Sequence, residues 1–279
     1  MGNDQRCEAC GKPVGRAWVT AEGKVWHPEH FTCSLCRQPL TERYSRSDLW
    51  PDWRICGRHG SLIPCDCCGR AFPGAHNDPA VLDRCEICLR AAVERDSDAR
   101  DRFHRSVGWL KKQGLEGDGK AALKLHLVDA RWLHANHAGA AGGQTLGVAQ
   151  SRYVDYGNGR RDYTHEGIAV LRGLPDPQFE GVVIHELGHA WLTIRGVHGL
   201  PQRDEEGFCQ MLAHRFYRRS PHPAAAGYAV GIEQSPDPIY GDGFRAVHHL
   251  VEQVGFDRVI RSLADEGRFP APEQRRRWF

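Results

Sequence analysis

The chain has no run of about twenty apolar residues, the length that a membrane-crossing helix needs, and no apolar signal-peptide core behind its N-terminus. Both absences point to a cytoplasmic protein that does not engage a membrane. Met1-Gly2-Asn3 resembles the start of a myristoylation signal, but Arg6 stands where that signal wants Ser or Thr. An excess of either charge is also missing. Lys and Arg number 37 against 35 Asp and Glu, a net charge of +2, so nothing electrostatic argues for nucleic acid as a partner. Arginine greatly outnumbers lysine, a bias of GC-rich genomes that points to a bacterial source. Cysteine is almost missing from the second part of the chain, since ten of the eleven precede residue 89. What is present, 279 residues at 41% hydrophobic content, can bury a real core and predicts one to three domains.

The early cysteines sit mostly in pairs with two residues between, where a secreted protein of this size would scatter them as disulfide partners. In a cytosolic chain that spacing means zinc. Cys7, Cys10, His27 and His30 form one tetrahedral set, and Cys33, Cys36, Cys56 and His59 a second, with the nitrogen and sulfur donors that structural zinc prefers. Gly11 can turn the chain after Cys10, and Trp26 and Phe31 can plug the small core between the sites. The string Trp26-His27-Pro28-Glu29-His30-Phe31-Thr32-Cys33 resembles a LIM domain. That resemblance implies a two-zinc module that binds proteins rather than DNA.

A shift of 58 residues lays Cys7, Cys10, His27 and His30 onto Cys65, Cys68, Cys85 and Cys88, with the sixteen-residue gap retained and Gly69 matching Gly11. Residues 63–90 therefore look like half of a second LIM module, holding a third structural zinc. Cys67 is a spare neighbour, and Cys68 keeps the two-residue spacing. Four protein ligands close each of these sites to substrate. Modules this small cannot fold without their metal, so chelation is expected to unfold them.

From residue 91 to 113 the chain is charged, with Ala91, Val93, Phe103, Val107 and Leu110 spaced for one helical face, and it reads as a connecting helix. Gly114, Gly117 and Gly119 mark the preferred boundary. The expected domains are thus 1–62 (LIM), 63–90 (half-LIM), 91–113 (connector) and 114–279 (enzyme). Strands are expected over Ala122–Asp129, Thr145–Val154 and Ile168–Leu171. Loops are expected at Gly139–Gly143 and Gly157–Arg161. Gly167–Gly173 is the expected edge strand for an extended substrate. His165 and Glu166, ahead of it, either line a cleft or are simply polar loop residues.

His185-Glu186-Leu187-Gly188-His189 carries the chemistry. On a helix the two histidines share one face and reach one zinc ion, while Glu186 is placed to take a proton from water held there. That helix has Asp176 as its expected N-cap, Pro177 at its first position and Gly196 as its stop. Its apolar residues cover much of its circumference, and burial makes unpartnered histidines costly, which favours metal. A second helix starts over Pro201–Asp204. A carboxylate in its first turn, Glu205 or Glu206, completes a three-ligand site with a fourth position left for water. Glu205-Glu206-Gly207-Phe208 is similar to the Asn-Glu-Gly-Phe string of aminopeptidase N-like enzymes, which implies Glu206 as the ligand and leaves Glu205 to face elsewhere or to assist substrate. Tyr240 is the first choice for stabilising an oxyanion, with His248 and His249 behind it; a helix-initiating turn explains Tyr240-Gly241-Asp242-Gly243 equally well. Gln210 and His214 are the expected acceptors for the second nitrogens of the histidines. Cys209 is expected to pack in the core.

Together these modules and strings, with Gly267-Arg268-Phe269-Pro270, resemble the plant "DA-one" family of ubiquitin-activated LIM peptidases, over essentially the whole chain from Cys7. The resemblance implies an α+β, zincin-like (gluzincin) endopeptidase holding one catalytic and three structural zinc ions. It cleaves protein substrates, with ubiquitin or a ubiquitin-like protein as a partner. The plant proteins carry ubiquitin-interacting motifs ahead of the LIM domain. Two other functions fit the same zinc sites: an interaction scaffold with a silent zincin domain, and an aminopeptidase that anchors the substrate amine on Glu166 or Glu205.

Overall fold

The computed structural model describes residues 5–46, 50–74, 81–116, 124–136, 145–157 and 161–271. Two compact units emerge, Met1–Pro79 with Asp83–Cys85, and Ala80–Leu82 with Glu86–Phe279.

The first unit is three antiparallel hairpins: β1 (Val19–Ala21) with β2 (Lys24–Trp26), β3 (Tyr44–Arg46) with β4 (Arg54–Cys56), and β5 (Leu62–Pro64) with β6 (Ala71–Pro73). None of these has a core of its own, and its shape comes from tight cysteine turns. After Cys7, Cys33 and Cys65 the chain makes the same knuckle. The amide of the cysteine donates to a carbonyl five residues on (Lys12, Gln38, Arg70), and the residue four positions on donates back to the cysteine carbonyl. That fourth residue is left-handed each time, at φ 68° for Gly11, 60° for Arg37 and 70° for Gly69. Glycine adopts this conformation freely, and Arg37 does so at some cost. Phe31, fully buried, packs beside Trp26 and Tyr44. Arg54 lies over both Trp26 and Phe31 and is clamped by Glu22 through Nε at 2.9 Å and Nη2 at 2.8 Å.

The second unit holds α1 (Glu86–Arg90), α2 (Asp96–Lys112), β7 (Leu125–Val128), α3 (Ala130–Asn136), β8 (Gly147–Asp155), β9 (Arg161–Leu171), α4 (Asp176–Ile194), α5 (Gln202–Arg219), α6 (Ala225–Glu233), α7 (Tyr240–Val254) and α8 (Phe256–Glu266). No described helix is long and apolar enough to cross a membrane. The sheet order is β7-β9-β8, with β7 parallel and β8 antiparallel to β9. This corrects one expectation from sequence: Gly167–Gly173 begins inside β9, the central strand, and cannot accept a further strand. Among the described residues the edge strands are β7 and β8, and β8 is the one that lies against Glu186. Apolar alternation marks a strand but carries no information about its neighbours, which is why the order was not readable.

The helix expected to connect domains is no spacer. α2 packs against α4, burying Ala99, Phe103 and Leu110, and its Arg102 and Arg105 pair with Asp176 and Glu180 of α4. Asp176, expected as the N-cap of α4, is instead its first residue, with Pro175 at the cap. Its carboxylate serves the two arginines. The helix ends at Ile194, and Gly196 follows at φ 70°. Gly117, Gly119, the expected Gly139–Gly143 loop, residues 122 and 123 of the first expected strand and 158–160 of the Gly157–Arg161 turn lie outside the described residues.

Candidate metal centres

In the first unit Cys7, Cys10, His27 and His30 converge, as do Cys33, Cys36, Cys56 and His59. Around a tetrahedral zinc ion with bonds of roughly 2.0–2.3 Å, donor atoms lie about 3.3–3.8 Å apart. The observed pairs fall inside that range or within about 0.1 Å of it: Cys7 Sγ to His30 Nδ1 3.4 Å, Cys10 Sγ to His27 Nδ1 3.4 Å, Cys33 Sγ to His59 Nε2 3.2 Å and Cys36 Sγ to Cys56 Sγ 3.9 Å. Burial opposes ionisation of Cys7, but the His27 amide and the His30 ring donate to its sulfur and bring the thiol down to about 6. It is therefore a thiolate at neutral pH, the form that binds metal. Cys65, Cys68 and Cys85, three of the four expected third-site cysteines, also come together in this unit, all buried, with Cys68 Sγ 3.7 Å from Cys85 Sγ and the Cys85 amide donating to Cys65 Sγ at 3.3 Å. Cys67 is buried but is not one of the four.

In the second unit α4 and α5 bring His185, His189 and Glu206 together. His185 Nε2 lies 3.2 Å from Glu206 Oε2, His189 Nε2 3.3 Å from the same oxygen, and the two Nε2 atoms are 3.3 Å apart. An equilateral triangle of this edge is the base of a tetrahedron with metal bonds of about 2.0–2.1 Å. Burial alone would raise the Glu206 pKa, yet the two histidines hold it well below the usual carboxylate range, so it is anionic. Cys209 also lies near the histidines. Burial pushes its thiol up to about 11.

Glu205 does not face elsewhere. The His189 Nδ1–H donates to Glu205 Oε1 at 2.8 Å. Sequence spacing assigned that kind of role to Gln210 and His214, and neither takes it. His214 Nε2 instead meets Glu233 Oε1 at 2.6 Å and packs against Phe244 and His248. Gln210 makes no hydrogen bond to either metal-facing histidine. His248 belongs to that same aromatic cluster and His249 pairs with Gln253 at 2.9 Å, so neither is an oxyanion donor here.

Glu186 is 7% exposed and lies against β8, where a Cβ on Gly147 would come within 2.9 Å of its Oε1. Burial raises its pKa, opposed by the two histidines and by the Ala149 amide, which donates to the carboxylate. Tyr240 opens α7 with its ring 6.3 Å from that of His185. Burial, then the Glu206 and Glu186 carboxylates, push its hydroxyl up to about 12, so it remains a donor. Asp237, in a turn just ahead of the helix, fixes it by accepting the Ile239 and Tyr240 amides, both at 2.8 Å.

The glycine of Glu205-Glu206-Gly207-Phe208 and those of Tyr240-Gly241-Asp242-Gly243, the latter string open to reading as a turn, have a packing purpose. A Cβ on Gly207 would lie 2.4 Å from the Gly243 carbonyl carbon and oxygen, and one on Gly243 would lie 2.2 Å from the Arg203 carbonyl oxygen. The helices α5 and α7 cross backbone to backbone, and this sets Tyr240 beside Glu206. In α4, Gly188 gives the same closeness to Cys209.

Comparison with known proteins gives the likeness. The LIM domain matches residues 7–50, and the DA1-like family, described as Protein DA1, matches residues 153–226. The chain is 24% identical to Protein DA1 of Arabidopsis thaliana, over 95% of this chain and 68% of that one. The chain resembles the DA1 family, in its LIM domain and in residues 153–226. LIM domain-containing protein HDR3 of Oryza sativa subsp. japonica is 20% identical over 95% of this chain and 74% of its own. Paxillin homolog 1 of Caenorhabditis elegans is 38% identical, over 37% of this chain and 25% of its own. No solved structure matches. With a LIM domain over residues 7–50, the chain carries a zinc-binding protein-interaction module, followed in sequence by a mixed α/β unit.

Proposed function

We propose that the second unit is a zinc-dependent endopeptidase and that the LIM modules recruit or regulate its protein substrates. The observation that carries this is the His185–His189–Glu206 triangle with Glu186 buried beside it, since a purely structural metal site has no need of a general base. The three donors suit zinc, which when bound supplies a Lewis acid for the scissile carbonyl and acidifies water toward neutrality. Glu186, with its raised pKa, accepts the proton of the attacking water and delivers it to the leaving amine. Tyr240, held protonated, donates to the oxyanion. Glu205 keeps His189 in the tautomer that offers Nε2 inward. The open edge of β8 runs beside Glu186 and receives the extended substrate.

The aminopeptidase alternative loses support, because both anchors for a substrate amine are engaged: Glu205 with His189 Nδ1, and Glu166 with Arg152 at 2.7 Å. The scaffold alternative and the peptidase separate in one experiment. Wild type and Glu186→Gln are incubated with a panel of denatured proteins, with zinc content measured for both. Cleavage by wild type, lost in the variant at equal zinc content, is expected; absence of cleavage by both leaves the scaffold.

A further inference from the structure

The edge strand β8 is longer than a catalytic cleft requires. Its first residues face the reaction: Gly147 abuts Glu186, and the Ala149 amide donates to it. Six residues remain beyond Ala149, and Tyr153 and Val154 among them are 53% and 52% exposed. An open edge carrying exposed apolar side chains invites pairing with another chain. Side chains alternate along a strand, so Ala149, Ser151 and Tyr153 share the Glu186 face with Gly147. Their partners on β9 are Ile168, His165 and Tyr163. On that face the Tyr153 and Tyr163 rings lie 5.6 Å apart, and Tyr163 stacks on His198, from the segment between α4 and α5, at 3.7 Å and 23°. Three rings thus pave the sheet outward from the catalytic carboxylate.

We propose that this Tyr153–Tyr163–His198 platform is a distal substrate subsite that takes a bulky apolar or aromatic side chain of an extended protein segment lying along β8. The proposal rests on the peptidase assignment, because continuity with the Glu186 cleft is what selects a substrate segment as the occupant. At about 3.4 Å per residue, Tyr153 lies about 14 Å along the strand from Ala149, so the recognised side chain sits about four residues from the scissile bond. Offset or edge-to-face stacking on such rings accounts for the preference for an aromatic group.

The test uses the full chain with Glu186→Gln, so that the probe is not consumed, and labelled, reduced and carboxymethylated insulin B chain as the extended peptide. Fluorescence anisotropy is expected to show binding that Tyr153→Ala weakens about fivefold, the scale of one aromatic contact. Hydrogen exchange is expected to slow over 147–155 on binding. In the wild-type background, mapped cleavage sites in denatured proteins should favour Phe, Tyr, Trp or Leu about four residues to one side of the cut, and Tyr153→Ala should erase that preference while cleavage continues. Equal affinity with and without Tyr153, or protection confined to other segments, overturns the subsite. Dimerisation of the protein alone through this edge, abolished by Tyr153→Ala, overturns it in favour of a second copy. Failure of the peptidase assignment looks different: the peptide binds on β8 and wild type does not cut it.

Discussion

Replacing Gly207 by alanine adds one methyl group where α5 meets α7, and its consequence can be worked out. The new Cβ would stand 2.4 Å from the Gly243 carbonyl carbon and oxygen, where ordinary contact begins at 3.4 Å, so the helices must part by about 1 Å. Both obstructing atoms are backbone, and no side chain can rotate away. Overpacking of this kind costs about 1–3 kcal/mol, against which alanine regains up to about 1 kcal/mol of helix propensity over glycine. The net expectation is a loss of about 1–2 kcal/mol, a fall in Tm of roughly 2–8 °C for a unit of this size. Gly108, inside α2, has nothing within 4 Å of its would-be Cβ. There the same substitution should stabilise, by up to about 1 kcal/mol. Thermal unfolding of Gly207→Ala and Gly108→Ala at saturating zinc should therefore give shifts of opposite sign. Because Gly207 adjoins Glu206, a displacement of about 1 Å should also lower kcat/KM about a hundredfold in the first variant only. Shifts of the same sign in both proteins would refute the close crossing as the reason for glycine at 207.

Other consequences are as direct. Glu205→Gln keeps the size of the side chain but weakens the acceptor for His189 Nδ1; since the Glu205 side chain is 41% exposed, zinc affinity measured against a competing chelator should fall by about tenfold, the low end for such partners, and an unchanged affinity would remove Glu205 from the site. Glu22 is held at about 2 by its hydrogen bonds to Arg54, against 4.5 ordinarily. A depressed carboxyl stabilises the fold fully above its unfolded pKa and loses that contribution as pH falls through the folded one. Glu22→Gln should thus cost about 1–2 kcal/mol in urea denaturation after solvent screening, with the deficit constant from pH 8 to about 5 and shrinking only below about 4.5. A deficit that shrinks between pH 8 and 6 would point to another group.

Features set by local spacing were legible in the sequence, and features set by strand order or helix crossing were not. Two histidines four apart on one helix must share a face, and cysteine pairs at a constant offset of 58 residues make the repeated knuckle readable before any coordinates. The division between Glu205 and Glu206 needed geometry. Both stand on α5 within reach of His189, and only distances assign Nε2 to one and Nδ1 to the other. The same limitation explains His214: its helical position allowed a place behind the metal ligands, but Glu233 on α6, nineteen residues away, captured it. Gly241 and Gly243, in the string that opens α7, resemble turn punctuation until a partner backbone is seen beside them.

The pairing of β8 with β9 slips by one residue: Gln150 faces Gly167, while Ser151 faces His165, leaving Glu166 as a bulge. It acts as a phase change in the strand. Ahead of it, odd-numbered residues such as Tyr163 and His165 share the face of α4; beyond it, even-numbered ones such as Ile168 and Val170 do. Removing that single residue would leave every side chain chemically intact and turn Tyr163 to the opposite face, away from His198. At this point in the chain, length rather than composition decides what the sheet presents to a ligand.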